Sequence, residues 1–329
     1  MRKSGILMHI TSLPNPYGIG TVGKCAFDFI DFLHEAGQSY WQILPLNPTG
    51  YGDSPYQSCS AFAGNPYLID LDLLVQEGLL RKEEPEAVCW TDREDRVDFS
   101  RLYEDRLNVL RLAWHRFDQW EALDAFCLDN SSWLPDFALF MALKYESGQK
   151  HFYEWDESLR RRDRVALNEF AKSYKEEILF WQFVQYEAKR QWMELKKYAN
   201  SKGISIIGDM PIYVALDSVD VWKNPELFKL DENFAPKKVA GVPPDYFCEK
   251  GQLWGNPVYD YEVHKKDGFS WWIERIKKAL KIYDYVRIDH FRAFDRYYEI
   301  NSNAEDATVG EWIDVPSKEL FDEQLLTVA

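Results

Sequence analysis

Two apolar runs with a helical segment between them decide what the first fifty residues can become. Residues 5–13, Gly-Ile-Leu-Met-His-Ile-Thr-Ser-Leu, are closed by Pro14 and Pro16, the pattern of a strand buried on both faces. Over residues 26–36, Phe27, Ile30, Phe32 and Leu33 recur at helical spacing, and Gly37 stands where a helix C-cap belongs. Residues 40–46, Tyr-Trp-Gln-Ile-Leu-Pro-Leu, then read as a second strand running into Pro45 and Pro48. Strand, helix and strand with short turns make a βαβ unit, which implies a parallel sheet. The theme returns downstream. Residues 204–214 predict a third buried strand, with Asp209 where it stops being apolar. A helix is expected over 269–282, with Trp272, Ile276, Ala279 and Leu280 inward. It leads to a fourth strand at Tyr285, in which Val286 and Ile288 alternate with Arg287 and Asp289.

Between the second and third strands the chain turns helical and charged, from about residue 77 to 200. One helix is expected over 101–128 and another over 174–198, with Lys196, Lys197 and Gly203 closing the segment. Their aromatic stripes read as helix packing. This divides the chain into a first sheet portion (1–76), a helical insertion (77–200) and a continuation of the sheet (201–329). Two connections are oversized. Residues 47–65 carry Tyr51, Tyr56 and Phe62, and residues 233–261 are rich in Gly, Pro and rings. Loops beyond about 12 to 15 residues are usually functional or disordered, and the rings argue for function.

The final strand ends in an unusual cluster. Arg287, His290 and Arg292 crowd Asp289, and opposite charge within a few Å lowers a carboxyl pKa by about 1 to 3 units, which suits a nucleophile better than a proton donor. The competing reading is a strand-end ion pair that only positions a loop. In parallel α/β barrels the chemistry sits at the carboxyl ends of strands, so Asp209 and Asp289 beneath two aromatic loops point to a cleft with acids at its floor and rings along its walls. With 13 Trp and 16% aromatic residues, the chain has rings to spare for such walls. A sugar fits a cleft of this kind, and glycosyl chemistry calls for paired carboxylates. The formal net charge of −15 argues against nucleic acid and anionic membrane surfaces. Five cysteines never closer than 30 residues give neither a zinc knuckle nor a disulfide framework, so a reduced, cytoplasmic protein without metal is expected. One rival motif stands out. Gly18-Ile-Gly20-Thr-Val-Gly23 matches a dinucleotide fingerprint between strand and helix, which would make the chain a nucleotide-dependent oxidoreductase. Against it, Pro14-Asn-Pro16-Tyr lengthens the turn, and the second strand ends in Pro45-Leu-Asn47 with no acid to hold a ribose.

The chain resembles the 4-α-glucanotransferases of the amylomaltase, or disproportionating enzyme, type. The resemblance rests on Ser12-Leu-Pro with Gly18-Ile-Gly, Gly50-Tyr-Gly-Asp-Ser-Pro-Tyr-Gln, Ala61-Phe-Ala-Gly-Asn-Pro-Tyr and Gly208-Asp-Met-Pro-Ile-Tyr-Val. Gly241-Val-Pro-Pro-Asp-Tyr-Phe, Trp254-Gly-Asn-Pro and Arg287-Ile-Asp-His-Phe-Arg complete it, over roughly residues 5 to 300. It implies a (β/α)8 barrel of TIM type with helical insertions, and a retaining double displacement on α-1,4-glucans without a cofactor. Asp289 would be the nucleophile. Arg287, Asp209 and His290 would bind the sugar there, and Ser54, Tyr56, Asp245, Phe247 and Trp254 would line neighbouring subsites. The chain also departs from the family. Ala293 replaces the usual Gly after His-Phe-Arg, and Asp314-Val-Pro-Ser replaces a Gly-Pro-Gly segment, so the acceptor-side loop is expected to differ. The family's general acid/base, a Glu in an Ala-Glu-Asp strand end, and a later His-Asp motif are not matched before Ala329. Glu305-Asp306 lies among Asn, Ser and Thr. The sequence is therefore expected to be an amino-terminal portion with about four of eight barrel strands, leaving a sheet edge and interior layers open. A glucan-binding fragment without catalysis is the alternative.

Overall fold

A computed structural model describes residues 2–50, 52–93 and 95–321. Its strands are β1 (Gly5–Leu7), β2 (Tyr40–Gln42), β3 (Ser205–Met210), β4 (Lys238–Val242), β5 (Gln252–Pro257), β6 (Tyr285–Ile288), β7 (Arg296–Asn301) and β8 (Gly310–Asp314). β1, β2, β3 and β6 form one parallel sheet in that order, the four strands expected from the apolar runs. Parallel neighbours start at the same end of a sheet, so the chain must cross back each time, and helices do so. Lys24–Glu35 links β1 to β2, Lys175–Ser201 leads into β3, and Ser270–Ile282 leads into β6.

Successive strands add on one side, and right-handed crossovers then put these helices on a single face of the sheet. That face holds Trp41 opposite Ile206, both fully buried. Gly208 shares it. A Cβ there would sit 2.2 Å from the Tyr283 ring, so glycine is what lets Tyr283 close over the strand. The other face carries Leu7 and Tyr285, 57% and 51% exposed. Burial on both faces, expected from the unbroken apolar runs, therefore holds for one face only. The strands are also shorter than the runs. After β1 the chain coils into a 3-10 turn, Ile10–Ser12, ahead of the prolines.

The parallel sheet does not close into a barrel among the described residues. β5, β4, β7 and β8 instead make a second, antiparallel sheet. The loop expected at 233–261 is thus a hairpin of β4 and β5, completed by β7. Gly241, Gly255 and Pro257 dilute its strand pattern, and the ladder that stabilises it comes from residues far along the chain.

The helix expected over 101–128 is two helices, Phe99–Trp114 and Trp120–Asp129. Phe117, between them, packs against Trp114 and Phe183 with ring centroids 6.2 and 5.0 Å apart, so tertiary packing holds the break. Lys175–Ser201 buries Phe180, Trp181, Phe183, Val184 and Leu195, and Trp192 Nε1 donates to the Ile282 carbonyl at 2.9 Å. Helices and parallel sheet share one continuous core. No helix among the described residues is long and apolar enough to cross a membrane.

Candidate active site

The register of β3 on β6 sets Asp209 beside Arg287. Side chains alternate along a strand with period two, so Asp289, two residues beyond Arg287, comes out on the same side. One guanidinium consequently holds two carboxylates. Arg287 Nη1 donates to both oxygens of Asp209 at 2.8 and 2.9 Å, and Nη2 donates to Asp289 Oδ1 at 2.7 Å. The ladder extends past the strand end, where the Asp289 N–H donates to the Met210 carbonyl at 3.0 Å.

The two acids differ in exposure. The Asp209 side chain is 1% exposed and that of Asp289 is 36% exposed. Burial holds the Asp209 carboxyl above the usual range, against the opposing pull of the Tyr56 hydroxyl and Arg287. Tyr56 Oη donates to Asp209 Oδ2 at 2.7 Å, and burial together with this carboxylate pushes the phenol pKa up. Asp209 is thus bonded through both of its oxygens, whereas Asp289 keeps one oxygen without a described partner and an open approach.

His290 begins the 3-10 turn Phe291–Phe294 in a left-handed conformation, φ 50°. Non-glycine residues take this conformation at a cost of about 1 to 3 kcal/mol, and such strain gathers at functional sites. Its ring meets Trp254 edge to face at 5.0 Å. Its Nε2 is buried with no hydrogen-bond partner, and burial lowers the imidazole pKa against the pull of Asp289. A neutral ring with an idle nitrogen is equipped to bind a hydroxyl. Arg292 does not join the cluster as expected. Its guanidinium covers the Trp312 ring of β8 at 4.2 Å, a partner supplied by the unexpected antiparallel sheet.

The 47–65 loop is tied down by residues that sequence reasoning missed. Gln57 and Asn256 exchange carboxamide hydrogen bonds at 3.0 and 3.3 Å, and Asn256 Nδ2 also donates to the Val214 carbonyl at 2.9 Å. Both residues lie inside quoted motifs, but nothing local pairs positions 199 apart. Ser54 Oγ accepts the Tyr56 N–H at 3.3 Å, so Ser54 shapes the turn that presents Tyr56. Tyr51 lies outside the described residues.

Asp245 and Phe247 are not brought to the carboxylates. They occupy the turn between β4 and β5, where Asp245 Oδ1 accepts the N–H groups of Phe247 and Cys248, both at 2.8 Å. Phe247 and its neighbour Tyr246 are 92% and 96% exposed.

The Gly18-to-Gly23 segment serves packing. A Cβ on Gly20 would lie 1.9 Å from the Ile10 carbonyl, and one on Gly23 would lie 1.9 Å from Asp70 Oδ2. Thr21 Oγ1 donates to that same Asp70 oxygen at 2.5 Å. A carboxylate therefore stands beside the helix N-cap at which a dinucleotide reading would place a pyrophosphate, and two anions repel.

The 4-alpha-glucanotransferase family model matches residues 8–328. Relatives named 4-alpha-glucanotransferase include one from Clostridium butyricum, 48% identical over 95% of this chain and 65% of its own length. Another, from Thermus thermophilus, is 50% identical over 97% of this chain and 64% of its own length. The chain thus spans just under two thirds of the length of these relatives. Among solved structures, the amylomaltase from Streptococcus agalactiae in complex with acarbose superposes with a TM-score of 0.97 at 47% identity, covering 100% of this chain and 67% of that one. With a match along nearly its whole length, the chain belongs to the 4-alpha-glucanotransferase family.

Proposed function

We propose that the chain carries the nucleophile side of a retaining glucanotransferase site acting on α-1,4-glucans. The observation that carries this reading is the division of labour imposed by Arg287, which leaves Asp209 locked and Asp289 open. An Asp289 oxygen attacks the anomeric carbon, the bond to the leaving glucan oxygen breaks, and a glucosyl ester forms. The leaving oxygen takes a proton from a separate acid. The 4-hydroxyl of an acceptor glucan then attacks the anomeric carbon and gives its proton to the conjugate base of that acid, the ester bond to Asp289 breaks, and the carboxylate is regenerated. Asp209, Arg287 and His290 hold hydroxyls of the reacting sugar, Trp254 stacks on its ring, and Ser54, Tyr56, Asp245 and Phe247 border adjacent subsites. The site around Asp289 takes an oligosaccharide as the Streptococcus agalactiae amylomaltase takes acarbose. On this reading the parallel sheet is the first part of a (β/α)8 barrel, with residues 77–200 inserted between portions 1–76 and 201–329.

Asp289→Asn tests the assignment with α-maltosyl fluoride, whose leaving group departs with little help from an acid. Fluoride release is expected to vanish while calorimetric binding of maltoheptaose persists. Release at the unaltered rate would remove Asp289 from the reaction.

A further inference from the structure

Behind the strand ends, between the helices Lys175–Ser201 and Ser270–Ile282, lies a cavity of about 550 Å³ whose wall includes none of Arg287, Asp289 and His290. Its size is that of a small-molecule site, roughly 300 to 1,000 Å³. Phe62, Trp133 and Trp192 contribute apolar wall. Its charge is lopsided. Lys189 lines it from the first helix, Lys278 and Lys281 line it from the second, Asp129 lines it as well, and Glu274 and Asp129 both pull on Lys278. The other ionic groups on the wall are committed elsewhere. Arg275 donates to the carbonyls of Pro211 and Ile212, and Asp209 is held by Tyr56 and Arg287. None of the three lysines makes a hydrogen bond or ion pair with a described residue. Burial, with the like charges of Lys278, Lys196 and Lys281, lowers the Lys189 pKa to about 8, and Lys196 is itself occupied by Asp284 at 3.1 Å.

In a chain of net charge −15, three lysines without an ion pair around one apolar cavity, with Asp129 and Glu274 as the acids near them, make a local excess of positive charge. A neutral sugar would leave that excess in place, and a purely apolar guest would aggravate it. We propose that this cavity binds a small organic anion, a carboxylate or phosphate monoester on a ring-sized apolar body. Lys189, Lys278 and Lys281 take the charged group, and Phe62, Trp133 and Trp192 take the body.

Three probes share one body: 1-naphthyl phosphate, 1-naphthoate and the neutral 1-naphthalenemethanol. Titrated into the purified chain by calorimetry, with tryptophan fluorescence as a second readout, both anions bind saturably and the alcohol binds at least about tenfold more weakly. The stronger of the two anions identifies the head group. Lys189→Met with Lys278→Met lowers anion affinity by about tenfold per lysine and leaves the alcohol unchanged. Should that double variant fail to fold by circular dichroism, Lys281→Met, at an exposed position, carries the same expectation for one lysine. Equal affinities for alcohol and anions, anion affinity indifferent to the lysines, or no saturable anion binding to the folded chain would each overturn the proposal.

Discussion

Arg287→Gln removes the cation that bonds Asp209 and Asp289 together. Three charge-assisted hydrogen bonds of 2.7 to 2.9 Å go with it, and Asp209, 1% exposed, keeps only the Tyr56 hydroxyl. Breaking a fully buried ion pair costs about 3 to 5 kcal/mol, but Arg287 is 45% exposed and water restores part of that, so about 2 to 3 kcal/mol is expected. The loss carries a pH signature. Burial already raises the Asp209 pKa above 3.8, and without Arg287 it rises further. A carboxyl with a raised folded-state pKa holds its proton more tightly when folded, so its contribution is present at low pH and is lost as pH rises through the folded pKa. The variant should therefore approach the parent in acid and fall away above it. Urea midpoints from about pH 4 to about pH 8, for the parent, Arg287→Gln, Asp209→Asn and the double variant, measure this. In the Asp209→Asn background the cost of Arg287→Gln should shrink to under about 1 kcal/mol. An equal cost in both backgrounds at every pH would refute the claim that Arg287 chiefly neutralises Asp209.

Tyr56→Phe deletes a hydrogen bond to that same carboxylate and should lower stability by about 1 to 3 kcal/mol, read as a shifted urea midpoint. Gly208→Ala forces a methyl into the Tyr283 ring and should cost about 1 to 3 kcal/mol, with an unchanged denaturant slope if only packing is disturbed. His264 sits fully buried among the rings of Tyr259, Trp271 and Trp272, and burial lowers its pKa from 6.5 to about 4. Its stabilising effect is complete above the unfolded value and lost as pH falls through the folded one, about 3 kcal/mol over that interval. His264→Gln should flatten the acid limb of the thermal stability profile.

The parallel sheet was legible because its strands are apolar runs with helices between them, a pattern that each segment displays on its own. The adjacency of Asp209 and Asp289 followed from strand order, since consecutive strands joined by a crossover tend to pair. The antiparallel sheet was hidden. Gln252–Pro257 reads Gln-Leu-Trp-Gly-Asn-Pro, a poor strand in isolation that owes its conformation to β4, itself held by β7. Arg292 was misplaced for that reason, its partner Trp312 belonging to β8. The break between the two helices near Phe117 carries no proline or glycine, and is fixed by rings from Lys175–Ser201. Gln57 and Asn256 could be quoted as motif members, but their mutual hydrogen bonds exist only once the loop and β5 meet.

Asp289, and not Asp209, is proposed to form the bond to sugar. Incubation with 5-fluoro-α-D-glucosyl fluoride, whose ring fluorine slows breakdown of a glucosyl ester, followed by proteolysis and mass spectrometry, locates that bond directly. One added fluoroglucosyl group is expected on the peptide containing Asp289, absent in Asp289→Asn. The same mass on Asp209, or retained in Asp289→Asn, would contradict that assignment.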